Sequence, residues 1–163
     1  MPNTQLQTAL TEQMRDIYWA ERKLVETLPK LAEAAHDPEL SEGIETHLEE
    51  TRGQVKRLER AFAALGLQAR GETCEAMKGL IKEGEEVLEN HGKGTLRDAL
   101  IIAACQKVEH YEIATYGTLC EWADVLELGE VKELLGESLQ EEEASDQKLS
   151  EIARAINQTA ATA

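Results

Sequence analysis

The sequence is short of everything a β-rich fold is built from. Six aromatic residues make up 4% of its 163 positions, and only three prolines occur. Strands favour aromatic and β-branched residues that pack on a pleated surface, so a chain dominated by Ala, Leu, Glu, Lys and Gln is expected to be all-α. Cysteine is scarce as well. Cys74, Cys105 and Cys120 cannot all pair with one another, and none stands in a Cys-x-x-Cys spacing, which argues against a secreted disulfide scaffold and a zinc-thiolate site. They read as small buried apolar residues.

Positive charge is also lacking. Against 32 acidic residues there are 17 basic ones, a formal net charge of -15. Such a surface repels phosphate backbones and anionic lipid headgroups, so neither nucleic acid nor a membrane is an expected partner. No apolar run approaches the roughly 20 residues that span a bilayer. The start Met1-Pro2-Asn3-Thr4-Gln5 has no basic region followed by an apolar stretch, so a cytoplasmic location is expected. The length fits a single domain with a core of its own.

What is present is an apolar spacing of alternating threes and fours, the period of an amphipathic helix. Leu10, Met14, Ile17, Leu24, Leu28 and Leu31 predict a first helix over residues 4–35, and the missing member of the series is Glu21. Pro29 should bend this helix. Asp37 is placed to cap a second helix that starts at Pro38, carries Ile44, Leu48, Val55, Leu58, Phe62 and Leu65, and stops before Gly66. The connection is short, so the two pack antiparallel. Residues 68–94 form a crossover in which a short helix over 72–89 lies between Gly71 and the Gly92-Lys93-Gly94 stretch. A third helix over 95–126 has Thr95 as its N-cap and Gly129 as its stop; a fourth over 130–157 is followed by a frayed tail.

Hairpin, crossover, hairpin is the order of a ferritin-like four-helix bundle, here with a short fifth helix in the long connection. The two hairpins echo one another weakly. Glu21 precedes Gln54 by the same interval, 33 residues, that separates Glu109 from Glu142.

Acids abound on the exposed faces of this chain, so only those at core positions of the helical period carry information. Glu21 is one; Glu109 and Glu112 continue the inward series Ile102, Cys105, Tyr116 and Leu119; Glu142 follows Leu139, with Asp146 one turn on. Glu50 and Gln54 lie on the second helix, with His47 one turn before Glu50. Carboxylates crowded into a dry layer repel each other and lose hydration, so they must be protonated, paired or bound to cations. Lys107 and Arg15 flank the layer but point to solvent. A dinuclear metal centre resolves the cost, with Glu21, Glu50, Glu109, Glu112, Glu142 and Asp146 as ligands and two ions, iron first and manganese the alternative. The usual ferritin-like arrangement takes one Glu from each of two helices and Glu-x-x-His from the other two. Here Glu109-x-x-Glu112 has Glu in place of His, while Glu50/Gln54 and Glu142/Asp146 are spaced by four. Whether Gln54, His47 or Asp16 joins the set is left open. His47 and His110 read first as satisfied or exposed imidazoles, and Tyr18 and Tyr111 as packing residues. The blander alternative is a solvated groove whose acids hydrogen-bond Tyr18, Tyr111 and Tyr116.

Four segments, Asp16-Ile-Tyr-Trp-Ala-Glu21, His47-Leu-Glu-Glu-Thr51, Lys107-Val-Glu-His-Tyr-Glu-Ile113 and Glu141-Glu-Glu-Ala-Ser-Asp146, resemble the motifs of the bacterial YciE/YciF family, and the similarity spans nearly the whole chain. The resemblance implies a ferritin-like fold, a homodimer, an association with stress responses and a di-iron centre. Two functions follow as expectations. One is a redox or metal-handling protein whose two ions meet dioxygen or peroxide. The other is a non-enzymatic stress or scaffold bundle in which metal only holds the helices together.

Overall fold

The computed structural model describes residues 4–162, which are helical with no strand among them. Five helices follow in order: α1 (Gln5–Ala34), α2 (Pro38–Ala64), α3 (Glu75–Asn90), α4 (Thr95–Val125) and α5 (Gly129–Ala160). α1 pairs with α2 and α4 with α5, each across a tight turn, while α2 lies along α5 and α1 along α4. α3 sits outside this square against α4 and α1. The result is the expected pair of antiparallel hairpins joined by a crossover.

Each long helix turns one continuous stripe inward, in alternating steps of three and four. On α1 it is Leu10, Met14, Ile17, Glu21, Leu24, Leu28 and Leu31; on α2, Leu40, Ile44, His47, Thr51, Gln54, Leu58 and Ala61. On α4 it is Ile102, Cys105, Glu109, Glu112, Tyr116, Leu119 and Ala123; on α5, Leu135, Ser138, Glu142, Ser145, Leu149, Ile152 and Ile156. Hydrocarbon fills both ends of the bundle and polar groups fill the middle.

Local chemistry fixes the ends. The Asp37 side chain accepts from the backbone N–H of Glu39 and Leu40, with Pro38 in the first turn, as its sequence position predicts. α2 closes with two reverse bonds, Leu67 N–H to Phe62 O at 2.9 Å and Gly66 N–H to Ala63 O at 2.9 Å, around Gly66 at φ 70°. α4 closes in the same way, through Leu128 N–H to Ala123 O at 2.9 Å and Glu127 N–H to Asp124 O at 3.0 Å. Its left-handed residue is Glu127 at φ 56°, not a glycine.

Several expected boundaries move. Gly129 is the first residue of α5 and not the stop of α4, because Glu127 makes the turn. Thr95 lies inside α4, whose cap is Gly94 without a side-chain bond. α5 continues to Ala160, three residues beyond its expected end. α3 begins at Glu75 because the chain before it is held extended on α1: Glu72 N–H donates to Arg15 O at 3.2 Å, and a Cβ on Gly71 would lie 3.1 Å from Trp19 Cβ. The Cys74 thiol then caps Met77 N at 3.4 Å.

Asp98 ties the two halves together at one end. It is buried, and its two carboxylate oxygens accept from His36 N–H and Asp37 N–H, both at 2.8 Å. Arg97 beside it donates to Ala34 O at 2.6 Å. The turn between α1 and α2 is therefore clamped onto the first turn of α4.

Candidate metal centre

The polar stretches of the four stripes meet halfway along the bundle. Glu21, His47, Glu109, Glu112 and Glu142 are all buried there, at 0 to 5% exposure. One ligand-type atom from each of His47, Glu109, Glu112 and Glu142 lies within 4.8 Å of the other three. Glu21 stands against Glu142 and Glu112 and completes the wall on the α1 side. Four helices and both hairpins thus contribute.

Burial, with the charge of Glu142 next, raises the Glu21 carboxyl to about 8. Burial and Glu142 also push Glu109 and Glu112 well above the usual carboxylate range. Burial works to lower the His47 pKa, but Glu50, Glu142 and Glu21 together raise it above its ordinary value. Each shift reports negative charge confined without enough counter-charge.

The hydrogen bonds leave specific atoms bare. Glu21 Oε2, His47 Nε2, Glu109 Oε2, both oxygens of Glu112 and Glu142 Oε2 are buried without a partner. Buried polar groups are almost always satisfied, so a concentration of orphans in one layer marks a place built for something else. The Ser145 hydroxyl donates to Glu109 Oε1 at 3.1 Å and faces His47 Nδ1 at 3.3 Å. With its proton given to Glu109, that oxygen accepts from Nδ1–H, a tautomer that turns the Nε2 lone pair inward. Nε2 then lies 3.3 Å from Glu109 Oε1, two lone pairs face to face, an arrangement that only a cation or a proton relieves.

Neighbouring side chains hold these groups in place. Tyr116 donates from its hydroxyl to Glu21 Oε1, and burial together with Glu21 raises its pKa well above normal. The Gln54 amide nitrogen donates to Glu142 and, at 3.1 Å, to Glu141 Oε2. Arg57 pairs with Glu141 through both terminal nitrogens and donates to Ser138 Oγ at 3.0 Å. Sequence reasoning missed Arg57, although it stands three residues after Gln54, one turn along the same helix.

The expected ligands divide into two groups. Glu21, Glu109, Glu112 and Glu142 come together in the layer. Glu50 sits at the rim, its Oε2 3.7 Å from His47 Nδ1 and its side chain 34% exposed. Asp146 turns away to His110 Nδ1 at 3.3 Å and Gln106 Nε2 at 3.4 Å. Of the residues left open, His47 is inside and Gln54 lies against Glu142, while Asp16 meets Gln13 at 3.5 Å outside the layer. His47 is thus neither exposed nor satisfied. Of the three tyrosines, only Tyr116 reaches the acids: Tyr18 donates to Glu59 at 3.0 Å, and the Tyr111 hydroxyl lies 2.9 Å from Cys74 Sγ.

A cleft of about 550 Å³ between α2 and α5 reaches this layer from the surface. Its inner end is formed by His47, Glu109 and Ser145, its walls include Leu28, Ile44, Cys105, Leu149 and Ile152, and its outer part carries Glu39, Glu42, Glu50 and Lys148.

The sequence pattern of a family described as "Domain of unknown function (DUF892)" matches residues 5–162. The chain belongs to the DUF892 family. Protein YciF of Escherichia coli K12 is 45% identical over 141 residues, covering 86% of this chain and 85% of that protein. The crystal structure of the E. coli stress protein YciF has a TM-score of 0.91 at 41% identity and covers 95% of this chain and 98% of its own. A Rhodopseudomonas palustris protein described as YcfI, a putative structural protein, has a TM-score of 0.88 at 42% identity, over 91% and 95% of the two chains. A more distant Xanthomonas campestris structure has a TM-score of 0.71 at 26% identity. These matches place the chain with YciF in both sequence and architecture. No helix among the described residues is long and apolar enough to cross a membrane.

Proposed function

We propose that the mid-bundle layer is a dinuclear metal centre, with iron the first candidate and manganese the second, in a stress-associated protein that meets dioxygen or peroxide. The observation that carries this reading is the set of unpartnered buried atoms on Glu21, His47, Glu109, Glu112 and Glu142. Two divalent ions would neutralise four carboxylates, and a set of hard oxygens with one imidazole suits iron or manganese over calcium or copper(I). Glu21, His47, Glu109, Glu112 and Glu142 would hold the ions, with Glu50 at the rim the nearest further carboxylate. Such a centre supplies electrons and a positive clamp for a small oxygen ligand.

The chain's own residues do the rest. Ser145 fixes the His47 tautomer, Tyr116 orients Glu21, and Gln54 orients Glu142 while Glu141, paired with Arg57, holds Gln54 in place. The apolar ends of the bundle close the layer along the helix axis, while the cleft between α2 and α5 opens it to the surface at the side. Protein purified without chelator should contain two ions per chain by elemental analysis. Glu109→Ala and Glu142→Ala should each lose at least one, and unchanged metal content in either would remove that residue from the set.

The second reading, a scaffold with inert metal, is favoured by the description of the R. palustris relative as a putative structural protein. A visible absorption change on adding peroxide to the ferrous protein supports the reactive centre. Metal that only raises the melting temperature supports the scaffold.

A further inference from the structure

The cleft between α2 and α5 is much larger than the small oxidants require. At about 30 Å³ per water, its 550 Å³ corresponds to on the order of 18 waters, whereas dioxygen or hydrogen peroxide fills one or two such volumes. Cavities of roughly 300–1,000 Å³ are the size that organic ligands occupy. The polar groups inside are placed at two levels. His47 Nε2 and Glu109 Oε2 are buried and unpartnered at the inner end. Glu39, Glu42 and Glu50 ring the outer part, with Lys148 held by Glu39 at 3.0 Å.

Charge sorts the possible occupants. An anion meets three carboxylates and a lysine that already has a partner. A cation would have to pass Leu28, Ile44, Cys105, Leu149 and Ile152, a stretch with no counter-charge. An uncharged molecule with an apolar body and one polar oxygen head matches the apolar walls and the polar inner end together. Gly43 keeps the gap open: a Cβ there would already meet Ile152 Cδ1 at 3.4 Å.

We propose that this cleft binds an uncharged organic hydroperoxide, its body against Leu28, Ile44, Leu149 and Ile152 and its O–OH head at His47 and Glu109. The choice of a hydroperoxide over an alcohol rests on the peroxide-reactive reading above; the cleft, the charge selection and the orientation do not. If the layer holds two ferrous ions as proposed above, they would supply the two electrons for cleavage of the O–O bond, and with two protons from solvent the products would be an alcohol and water.

The test uses the full chain with its metal as purified. 2-Phenyl-2-propanol, a redox-inert alcohol shaped like cumene hydroperoxide, is titrated in by NMR. Saturable shifts are expected at residues 43–50 and 145–152. Gly43→Leu, which places a side chain in the gap and swaps glycine for a better helix former, should weaken binding about tenfold or more with unchanged metal content. Phenylacetate and benzylammonium should bind about tenfold more weakly than the alcohol. On the ferrous protein, Gly43→Leu should slow oxidation by cumene hydroperoxide and leave oxidation by hydrogen peroxide unchanged. Equal binding of either charged analogue, undiminished binding by Gly43→Leu, or equal slowing with both peroxides overturns the proposal. If the wild type binds the alcohol but purifies without metal, the dinuclear reading fails and the cleft stands. Metal without alcohol binding has the opposite meaning.

Discussion

With no ion in the layer, the stability of this protein should fall steeply with rising pH. Glu21 goes from about 4.5 in the unfolded chain to about 8 in the folded one, because it is fully buried and faces Glu142. A folded pKa above the unfolded value means that the folded apo state binds the extra proton, so the destabilisation is complete above pH 8 and is relieved as pH falls through 8 towards 4.5. A rise from 4.5 to about 8 corresponds to roughly 5 kcal/mol from this one group. Glu109 and Glu112 are shifted in the same direction. Domains of this kind have about 5–15 kcal/mol in total, so the apo protein at pH 8.5 should melt roughly 10–20 °C below the same protein at pH 5. Bound ions need deprotonated ligands and reverse the sign: their contribution is present at high pH and is lost on acidification. Melting curves recorded from pH 5 to 9, with and without chelator, should therefore diverge upward and converge near pH 5. Glu21→Gln should flatten the chelated curve by roughly 1 kcal/mol per pH unit across that window. Parallel curves, or a Glu21→Gln protein with the wild-type slope, would refute the reasoning.

Other substitutions test separate parts of the structure. Asp98→Ala orphans the backbone N–H groups of His36 and Asp37 and should cost about 3 kcal/mol by urea denaturation; a loss under about 1 kcal/mol would show that the clamp is dispensable. Glu127→Gly relieves a side chain held at φ 56° and should stabilise the fold by about 1 kcal/mol, seen as a higher melting temperature. Glu85→Gln and Glu86→Gln, on the outer helix α3, should leave the metal content unchanged, since their partners are Lys30 and Lys82.

The helices, the turn at Asp37, the antiparallel hairpins and the crossover were all legible in the spacing of apolar residues. The buried polar layer was legible where the core series is unambiguous. Glu21, Glu109 and Glu112 fall on stripes defined by strong neighbours such as Ile17, Leu24, Ile102 and Leu119, and they are buried. On α2 the reading took His47, Glu50 and Gln54 together because they follow one another by about one turn between Ile44 and Leu58. The buried series is Ile44, His47, Thr51, Gln54 and Leu58, and a step of 100° per residue leaves Glu50 on the rim. α5 shows the same offset, since Ser145 occupies the place between Glu142 and Leu149 and Asp146 faces α4 from the side. The signal for His47 was available: it stands three residues after Ile44 and seven before Gln54. Polar members of a stripe carry no hydrophobic weight, so a pattern read from apolar residues alone passes over them. The turn at Glu127 was illegible for another reason, since no side-chain preference points to a glutamate in a left-handed conformation.

Apart from Asp98 at one end, the buried charge stands in one band, and that placement has a consequence for alignment. The hydrocarbon at the two ends of the bundle is built from interchangeable Leu, Ile, Met and Ala, and four stripes of the same period would interdigitate nearly as well if one hairpin slid along the other by seven residues. That slip is about 10.5 Å at 1.5 Å per residue. It would drive Glu109, Glu112 and Glu142 out of reach of Glu21 and His47 and into a wall of leucines, at the cost of several unpaired buried charges. The acidic band therefore works as a key cut across the interface of the hairpins, permitting a single longitudinal setting where hydrophobicity alone would permit more than one.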